Sequence, residues 1–355
     1  MIQDLLEEQI AKISAPDPAW GAAAREHLNN LTKPLGSLGR LESIAEQLAT
    51  IFKGNLPEQF AKAAYVFAAD HGIVAEGVSL YPAEVTAQMV RNFSEGGAAI
   101  NVLCRKHACA LTVADIGVNA DLSLLVSVEH RKVRMGSRNF AREAAMTEEE
   151  LAAALQAGIK LAGEAHRAGK NLIAVGEMGI GNTTSASAIA AMLTAHSADT
   201  VTGSGTGLDE AARKRKASVI EGALRLHFGE ERSASGIDVL RCVGGLEIAA
   251  MTGFYLACAA HGIALICDGF ISTAAAAVAV AIAPNLCAYL FAGHRSEEPG
   301  HRYLLAWLNL EPILQLQMRL GEGSGAVLAM PVIESAVVIY HEMATFASAG
   351  VSEAQ

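Results

Sequence analysis

Five apolar runs of β-strand length recur along the chain, and each ends beside a glycine with an acid or a histidine. They are Ala63–Asp70 before His71-Gly72, Leu111–Asp115 before Gly117, Asn171–Val175 before Gly176-Glu177, Gly262–Asp268 before Gly269, and Leu286–Ala292 before Gly293-His294. Such two-faced apolar strands, separated by helical stretches, predict an α/β fold with a parallel sheet and helices on both sides. Ligands of such sheets bind beyond the carboxyl ends of the strands, so the polar endings predict one binding edge.

Composition restricts the partners of the chain. Of its 355 residues, 52% are hydrophobic and 18% are charged, which suits a large core and an additional interface. The net charge of −10 argues against nucleic acid and anionic membranes as partners. The cysteines form no CxxC pair, the acidic amphipathic start does not resemble a signal peptide, and the apolar run 270–283 is too short to span a membrane. We therefore expect a cytoplasmic protein.

Helical signals fill the segments between the apolar runs. Thr147–Glu150 forms a capping box before a helix that Gly169 ends, and Asp209 can cap a helix that runs to His227. Residues 1–52 and 300–346 are predicted to be helical, with a break at 321–325, and to form one small helical subdomain. Residues 53–299 would then form an α/β nucleotide-binding core, and 347–355 a tail.

The segment 176–184 reads GEMGIGNTT and predicts the end of a strand, a glycine turn and the start of a helix. Its glycines let a ligand approach the backbone and its polar residues can cap the helix; they are Gly179, Gly181, Asn182, Thr183 and Thr184. A helix N-terminus suits a phosphate, and Glu177 on the same turn suits a sugar hydroxyl or a proton. An ordinary strand-to-helix turn remains the alternative, because this is neither the dinucleotide nor the P-loop pattern.

Lys216 falls within the apolar stripe of the helix that follows Asp209, whereas Lys214 points away from it. An inward lysine needs an anionic partner, unless it extends along apolar surface to reach water. The glycine-rich stretch 202–206, which includes Gly205, precedes this helix and could help to form an anion pocket.

Glu322 lies between two glycines in the turn RLGEGSGA at 319–326. Small neighbours allow its carboxylate to project into a cavity, where partial desolvation would raise its pKa and suit it to act as a base near neutral pH. A helix-capping acid has the same appearance. Asp70-His71-Gly72 could indicate metal or acid–base chemistry, but no further ligands stand at metal-site spacing, so no metal is predicted.

Seven motifs in consistent order resemble one enzyme family, between about Ile13 and Met343. They are KPLGSLGRLE at 33–42, AADHG at 68–72, YPAEVTAQMV at 81–90, GEMGIGNTT at 176–184, GIDVLRCVGGLEIAAMTG at 236–253, CDGFIS at 267–272 and MRLGEGSGA at 318–326. The family is the nicotinate-nucleotide–dimethylbenzimidazole phosphoribosyltransferases of cobalamin biosynthesis. The resemblance implies a homodimer with a Rossmann-like core and a small helical domain, acting on nicotinate mononucleotide and a benzimidazole without a cofactor.

The resemblance also implies roles for individual residues. Glu322 would be the base, and Glu177 the carboxylate beside the ribose. Phosphate and ribose would be bound by Gly179, Gly181, Asn182, Thr183, Gly205, Lys216 and Asp268. The base pocket would be lined by Tyr81, Met89, Met178 and Leu320. Some relatives carry a small polar residue where this chain has Tyr81, which leaves the preferred acceptor open.

Two other functions remain to be weighed. A non-catalytic nucleotide-binding regulator would fit the same scaffold, although Glu322, Glu177 and Lys216 are all present. A dinucleotide-dependent oxidoreductase would need a GxGxxG turn after the first strand, where this chain has Asp70-His71-Gly72. Acceptors other than dimethylbenzimidazole, such as adenine, a substituted benzimidazole or a phenol, are also open.

Overall fold

The structure, a computed structural model, describes residues 2–205 and 207–352, and within them the strands form one seven-stranded parallel sheet. The strands are β1 Lys62–Ala69, β2 Ala110–Gly117, β3 Val128–His130, β4 Leu172–Met178, β5 Ala264–Cys267, β6 Leu290–His294 and β7 Pro312–Leu314. The predicted parallel α/β fold is confirmed. Thr206 of the glycine-rich stretch and residues 353–355 of the predicted tail lie outside the described residues.

The strand order is β3-β2-β1-β4-β5-β6-β7, so the chain builds outwards from β1 first in one direction and then in the other. β1 and β4 are neighbours, with Phe67 opposite Glu177 and Ala68 opposite Met178. In an open parallel sheet, the point where the order reverses leaves a crevice at the carboxyl ends of the two strands. The turn after β4 therefore lies where such sheets bind ligands.

Helices cover both faces of the sheet. They are α1 Ile2–Ile10, α2 Pro18–Asn29, α3 Arg40–Ile51, α4 Glu84–Glu95, α5 Ala99–Lys106, α6 Glu148–Arg167, α7 Asn182–Thr194, α8 Ala198–Val201, α9 Glu210–Phe228, α10 Gly236–Val243, α11 Leu246–Ala260, α12 Phe270–Ile282, α13 Pro299–Trp307, α14 Ser324–Glu342 and α15 Phe346–Ala349, with short 3-10 segments at Gly72–Glu76 and Pro284–Tyr289. The capping box at Thr147 and the Asp209 cap are both confirmed.

The two ends of the chain pack together. α14 packs against α3, and a β-bridge joins Leu31 to Thr345. α1 lies instead against α6 and α11. The prediction that 300–346 is helical apart from 321–325 is wrong at 312–314, because these residues pair with β6 as the edge strand β7. The division into a core and a helical subdomain stays a prediction.

α14 is long and apolar enough, by length and composition alone, to cross a membrane. Half of its most apolar window is nevertheless buried inside the molecule, and the helix packs on β4 and β6. A core helix of an α/β protein meets the same criteria, so the apolarity of α14 is explained by its packing in this fold.

Helices α6 and α11 approach each other through glycines. A Cβ atom added at Gly158 would lie 1.8 Å from the carbonyl oxygen of Ala250, whereas one at Gly163 on the same helix would meet only the end of the Arg167 side chain. We expect Gly158→Ala to lower the free energy of unfolding by about 1–3 kcal/mol through overpacking. Gly163→Ala, the matched control, should raise it by up to about 1 kcal/mol through helix propensity. Denaturant unfolding measures both, and equal stabilities would contradict this account of the interface.

Candidate active site

A cavity of about 110 Å³ opens beyond the carboxyl ends of β4 and β6. It brings together predicted residues from three separate segments of the chain. Those that line it are Glu177, Met178, Gly179, Asn182, Thr183, Gly205 and Leu320. The predicted convergence of the glycine turns at one edge of the sheet is therefore found in the structure.

The turn after β4 forms one wall of the cavity. Gly181 has φ of +96°, a left-handed conformation that favours glycine, and α7 begins at the next residue. The side-chain amide of Asn182 donates a hydrogen bond to Glu177 Oε2, which connects the start of α7 to the end of β4. The N-terminus of α7 thus faces the cavity, where its backbone N–H groups and dipole favour an anion.

Lys216 reaches the same wall from α9. Its side chain is only 1% exposed, so the alternative that it extends to solvent is wrong. Its Nζ donates to Thr183 Oγ1 at 2.7 Å, and a Cβ atom on Gly205 would lie 3.7 Å from it. Burial lowers the pKa of Lys216 to about 8, and the nearby Glu298 carboxylate opposes that effect. A buried cation therefore stands beside the N-terminus of α7.

Glu177 lies at the floor of the cavity and is almost completely buried. Burial raises the pKa of Glu177 to about 8, and the carboxylates of Asp268 and Glu247 act in the same direction. The hydrogen bond from Asn182 opposes this shift. The group can consequently exchange a proton near neutral pH, and a positive charge brought into the cavity would favour its ionised form.

Glu322 is held beside the end of β4 by a close contact between two backbones. A Cβ atom on Gly176 would lie 2.2 Å from Gly323 N and 2.5 Å from the carbonyl carbon of Glu322. Glu322 has φ of +64° and is 5% exposed. Burial raises the pKa of Glu322 to about 7, Asp268 acts in the same direction, and the backbone N–H of Ile100 opposes both.

Among the described residues, no hydrogen-bond partner is found for Glu322 Oε2, although this atom is buried. Glu322 is not one of the residues that line the 110 Å³ cavity, whereas its neighbour Gly321 is. A Cβ atom on Gly321 would lie 2.5 Å from Glu177 Oε1, so only one glycine separates the Glu322 turn from the Glu177 carboxylate. The two acids thus approach the site from adjacent sides.

Asp268 contacts the start of α14, and the phosphate- or ribose-binding role predicted for it stays a prediction. Its Oδ2 accepts a hydrogen bond from Gly323 N at 3.1 Å, and its Oδ1 accepts one from Ala326 N at 2.9 Å. It is fully buried, and burial raises its pKa. Asp268 therefore anchors the start of α14 and the turn that carries Glu322.

The four residues predicted for the base pocket are only partly brought together. Met178 and Leu320 line the cavity, whereas Tyr81 and Met89 are not among its lining residues. Tyr81 is 48% exposed in the segment before α4, and Leu320 is 55% exposed at the mouth of the cavity. Among the described residues, two of the four predicted for the base pocket therefore line this cavity.

Sequence reasoning missed several polar residues of the cavity, namely Ser296, Glu298 and Arg319. His294 also lines the cavity and ends one of the apolar runs that predicted this edge. Arg319 Nη1 donates to the carbonyl oxygen of Gly205 at 3.2 Å. Its position two residues before the predicted Gly321 turn was a usable signal, because arginine is a common partner of phosphate. Within the described residues, no group of three or more His, Cys, Asp or Glu side chains is arranged to hold a metal ion.

Comparisons with known proteins agree with this arrangement. A family model described as phosphoribosyltransferase matches residues 13–351. A nicotinate-nucleotide–dimethylbenzimidazole phosphoribosyltransferase of Desulforamulus reducens is 49% identical over 98% of this chain and 99% of its own length. An enzyme of the same name from Geobacter sulfurreducens is 49% identical over the same shares of the two chains.

Solved structures give the same result at the level of the fold. The crystal structure of a nicotinate-nucleotide–dimethylbenzimidazole phosphoribosyltransferase from Thermus thermophilus is similar, with a TM-score of 0.88 and 46% identity. The match covers 95% of this chain and all of that one. The similarity therefore extends over the sheet, the helices and the cavity together.

The anchoring role of Asp268 can be tested by stability. In Asp268→Asn an amide group replaces one acceptor oxygen and faces a backbone N–H, so we expect a loss of about 1–3 kcal/mol in the free energy of unfolding. Asp121→Asn is the matched control, because Asp121 also accepts from a backbone N–H, that of Ser123, but on the surface. It should change stability by no more than about 0.5 kcal/mol in denaturant unfolding. If Asp268→Asn is as stable as the wild type, Asp268 does not anchor the start of α14.

Proposed function

Because the chain belongs to the phosphoribosyltransferase family, we propose that it transfers phosphoribose from nicotinate mononucleotide to 5,6-dimethylbenzimidazole. The products are nicotinate and α-ribazole 5′-phosphate, as needed for assembly of the nucleotide loop of cobalamin. The observation that carries the proposal is the convergence of Glu177, Lys216 and the Glu322 turn around one cavity at the carboxyl edge of the sheet.

The 5′-phosphate binds at the N-terminus of α7. Lys216 supplies the buried positive charge, Thr183 and Gly205 lie beside it, and Arg319 stands at the mouth of the cavity. Charge-assisted hydrogen bonds in a site shielded from water are stronger than neutral ones, which gives the phosphate a defined position. Gly179 and Gly181, the glycines of the turn after β4, border the same phosphate group.

The ribose lies between the phosphate and Glu177. As the bond to nicotinate breaks, positive charge develops on the ribose ring, and the Glu177 carboxylate next to it stabilises that charge. Nicotinate is attached to the sugar as a cationic pyridinium, so it leaves with a neutral ring and needs no metal or other cofactor. The cation itself also favours ionisation of Glu177, whose pKa is raised by burial.

The acceptor attacks from the face opposite nicotinate, so the β-linkage becomes an α-linkage. The ring nitrogen that attacks becomes part of a cation, which must lose the proton on the other nitrogen. Glu322 accepts this proton, since its pKa of about 7 makes it an effective base near neutral pH. Its second oxygen has no described partner and is available for that contact.

The acceptor pocket is formed by Met178 and Leu320, with Tyr81 and Met89 completing it when the enzyme is assembled. We propose a homodimer, because Leu80, Tyr81 and Leu320 are exposed apolar side chains, of which Leu320 lines the cavity. The protein is cytoplasmic, with small molecules rather than nucleic acid or membrane as partners. A different flat acceptor, such as adenine or a phenol, is the alternative that the exposed Tyr81 keeps open.

The direct test is to incubate the protein with nicotinate mononucleotide and dimethylbenzimidazole and to measure free nicotinate and α-ribazole phosphate. Competition among dimethylbenzimidazole, adenine and a phenol then identifies the preferred acceptor. Binding of nicotinate mononucleotide without any release of nicotinate would favour a non-catalytic regulator instead.

The role of Glu322 as the base predicts a large loss of turnover in Glu322→Gln. We expect kcat to fall by about 10²–10⁴-fold, the range typical of a general base, with the thermal unfolding temperature unchanged or higher. Glu297→Gln removes a carboxylate that is exposed on the neighbouring 297–298 loop and should leave kcat near that of the wild type. Near-normal activity of Glu322→Gln would exclude it as the base.

The role of Lys216 predicts a selective loss of phosphate recognition. Lys216→Met keeps most of the side-chain volume, and we expect it to weaken binding of nicotinate mononucleotide by at least about tenfold, because a charge-assisted contact is worth about 1.5–3 kcal/mol. Binding of nicotinate riboside, which lacks the phosphate, should change little. Lys214→Met on the exposed face of the same helix is the control. Calorimetry that finds equal effects on both ligands would contradict the phosphate assignment.

A further inference from the structure

A buried hydrogen-bonded chain lies directly behind the cavity, and the proposed reaction does not use it. His71 follows β1, and its Nδ1 is 3.1 Å from Ser185 Oγ while its Nε2 is 2.6 Å from Glu247 Oε1. Ser185 belongs to the first turns of α7, and its hydroxyl donates to the carbonyl oxygen of Gly244 at 3.0 Å. These hydrogen bonds therefore link the end of β1, the N-terminus of α7 where the phosphate is proposed to bind, and the start of α11.

The positions of the protons follow from counting donors and acceptors. Ser185 has a single hydroxyl hydrogen, and Gly244 can only accept it, so the contact with His71 requires a hydrogen on Nδ1. One further proton lies between Nε2 and Glu247. Whichever atom holds it, His71 and Glu247 together carry no net charge. Both side chains are completely inaccessible to solvent, where an unpaired charge would be strongly unfavourable.

The pair is close enough to the catalytic carboxylate to affect it. A Cβ atom on Gly179, in the turn after β4, would lie 3.2 Å from Glu247 Oε1. One on Gly181 would lie 3.3 Å from the Cβ of His71. Glu247 is also among the carboxylates that raise the pKa of Glu177. His71 thus contacts the turn before α7 and neutralises Glu247, which acts on Glu177.

We propose that His71 is a positioning residue for the transfer reaction, holding the first turn of α7 through Ser185 and neutralising Glu247 behind Glu177. The inference rests on the proposed function. It explains why the Asp-His-Gly motif stands at the end of β1 although the cavity does not include it. His71 touches no substrate in this arrangement, and its two hydrogen bonds carry two separable effects.

Other charged groups surround Glu177 and also affect its ionisation. The groups near it on adjoining elements are Asp268, His294 and Glu322, and Lys216 and Arg319 stand across the cavity. Asp70 lies beside His71 and Glu247. Because most of these near neighbours are acids, one more uncompensated carboxylate would make ionisation of Glu177 harder. The pH dependence of kcat/KM for nicotinate mononucleotide reports ionisation in the free enzyme and is the appropriate readout.

His71→Gln can still donate a hydrogen bond to Glu247 but cannot balance its charge, so the acid limb of the kcat/KM profile should move to higher pH by about one unit. Activity at pH 7 should fall by up to about tenfold, which is the most that a one-unit shift produces when the limb lies above pH 7. In His71→Gln/Glu247→Gln the extra charge is gone, and the limb should return to its wild-type position. Glu247→Gln alone preserves both ring contacts with a neutral histidine, and kcat/KM should stay within about threefold of the wild type.

The contact with α7 is tested separately. Ser185→Ala removes only that link, so KM for nicotinate mononucleotide should rise while the acid limb stays in place. Glu58→Gln, an exposed carboxylate ahead of β1 at the opposite end of the sheet, is the control for the charge change. An acid limb that is unchanged in His71→Gln, or equally displaced in the double variant, would overturn the proposal.

Two further measurements distinguish a failure of the role of His71 from a variant that does not fold and from a failure of the proposed function. If His71→Gln fails to fold, ¹⁵N spectra of the wild-type histidines at neutral pH decide the matter, because the hydrogen-bond count requires a hydrogen on Nδ1 of His71. An unprotonated Nδ1 would contradict the proton count. A wild-type protein that releases no nicotinate would refute the proposed function itself, whereas an active enzyme with an unmoved limb refutes only the role of His71.

Discussion

The turn at 321–323 meets β4 with no side chain between the two backbones, and the geometry of the site depends on this contact. Gly176 and Gly323 leave just enough room for it, and Asp268 fixes the far side by accepting hydrogen bonds from Gly323 and Ala326. The ends of β4 and β5 and the start of α14 are thereby locked together. Glu177 and Glu322 project from this rigid unit, so their separation is set by backbone packing rather than by side-chain flexibility.

Burial disfavours the ionised forms of the acids and of the lysine of the site. Glu177 and Glu322 are buried beside Asp268, and Lys216 is a buried cation whose hydrogen bond goes to a neutral hydroxyl. The proposed substrate carries the complementary groups, a cationic ring for the acids and a phosphate for the lysine. Binding energy and charge neutralisation therefore favour the same ligand, while the pKa values of the two acids stay near the working pH.

Most of the site was predictable from local sequence because its signals are local. Glycine turns after apolar runs located the edge of the sheet, and helical periodicity identified Lys216 as facing inwards. The strands β3 and β7 were not predicted, because each has only three residues and takes its conformation from pairing at the edge of the sheet. The hydrogen bond between His71 and Glu247 was also inaccessible, since it joins segments far apart in the chain. Nor did sequence alone distinguish a ligand-binding role of Asp268 from an anchoring role.

Glu322 shows how function and stability can oppose each other at a single position. A non-glycine residue with φ of +64° is unfavourable by roughly 1–2 kcal/mol relative to glycine. Selection for thermostability alone would thus draw position 322 towards glycine, giving a more stable fold without the proposed proton acceptor. The glutamate at 322 adopts a backbone conformation that it disfavours, so directed evolution for stability would need to exclude this position from mutation.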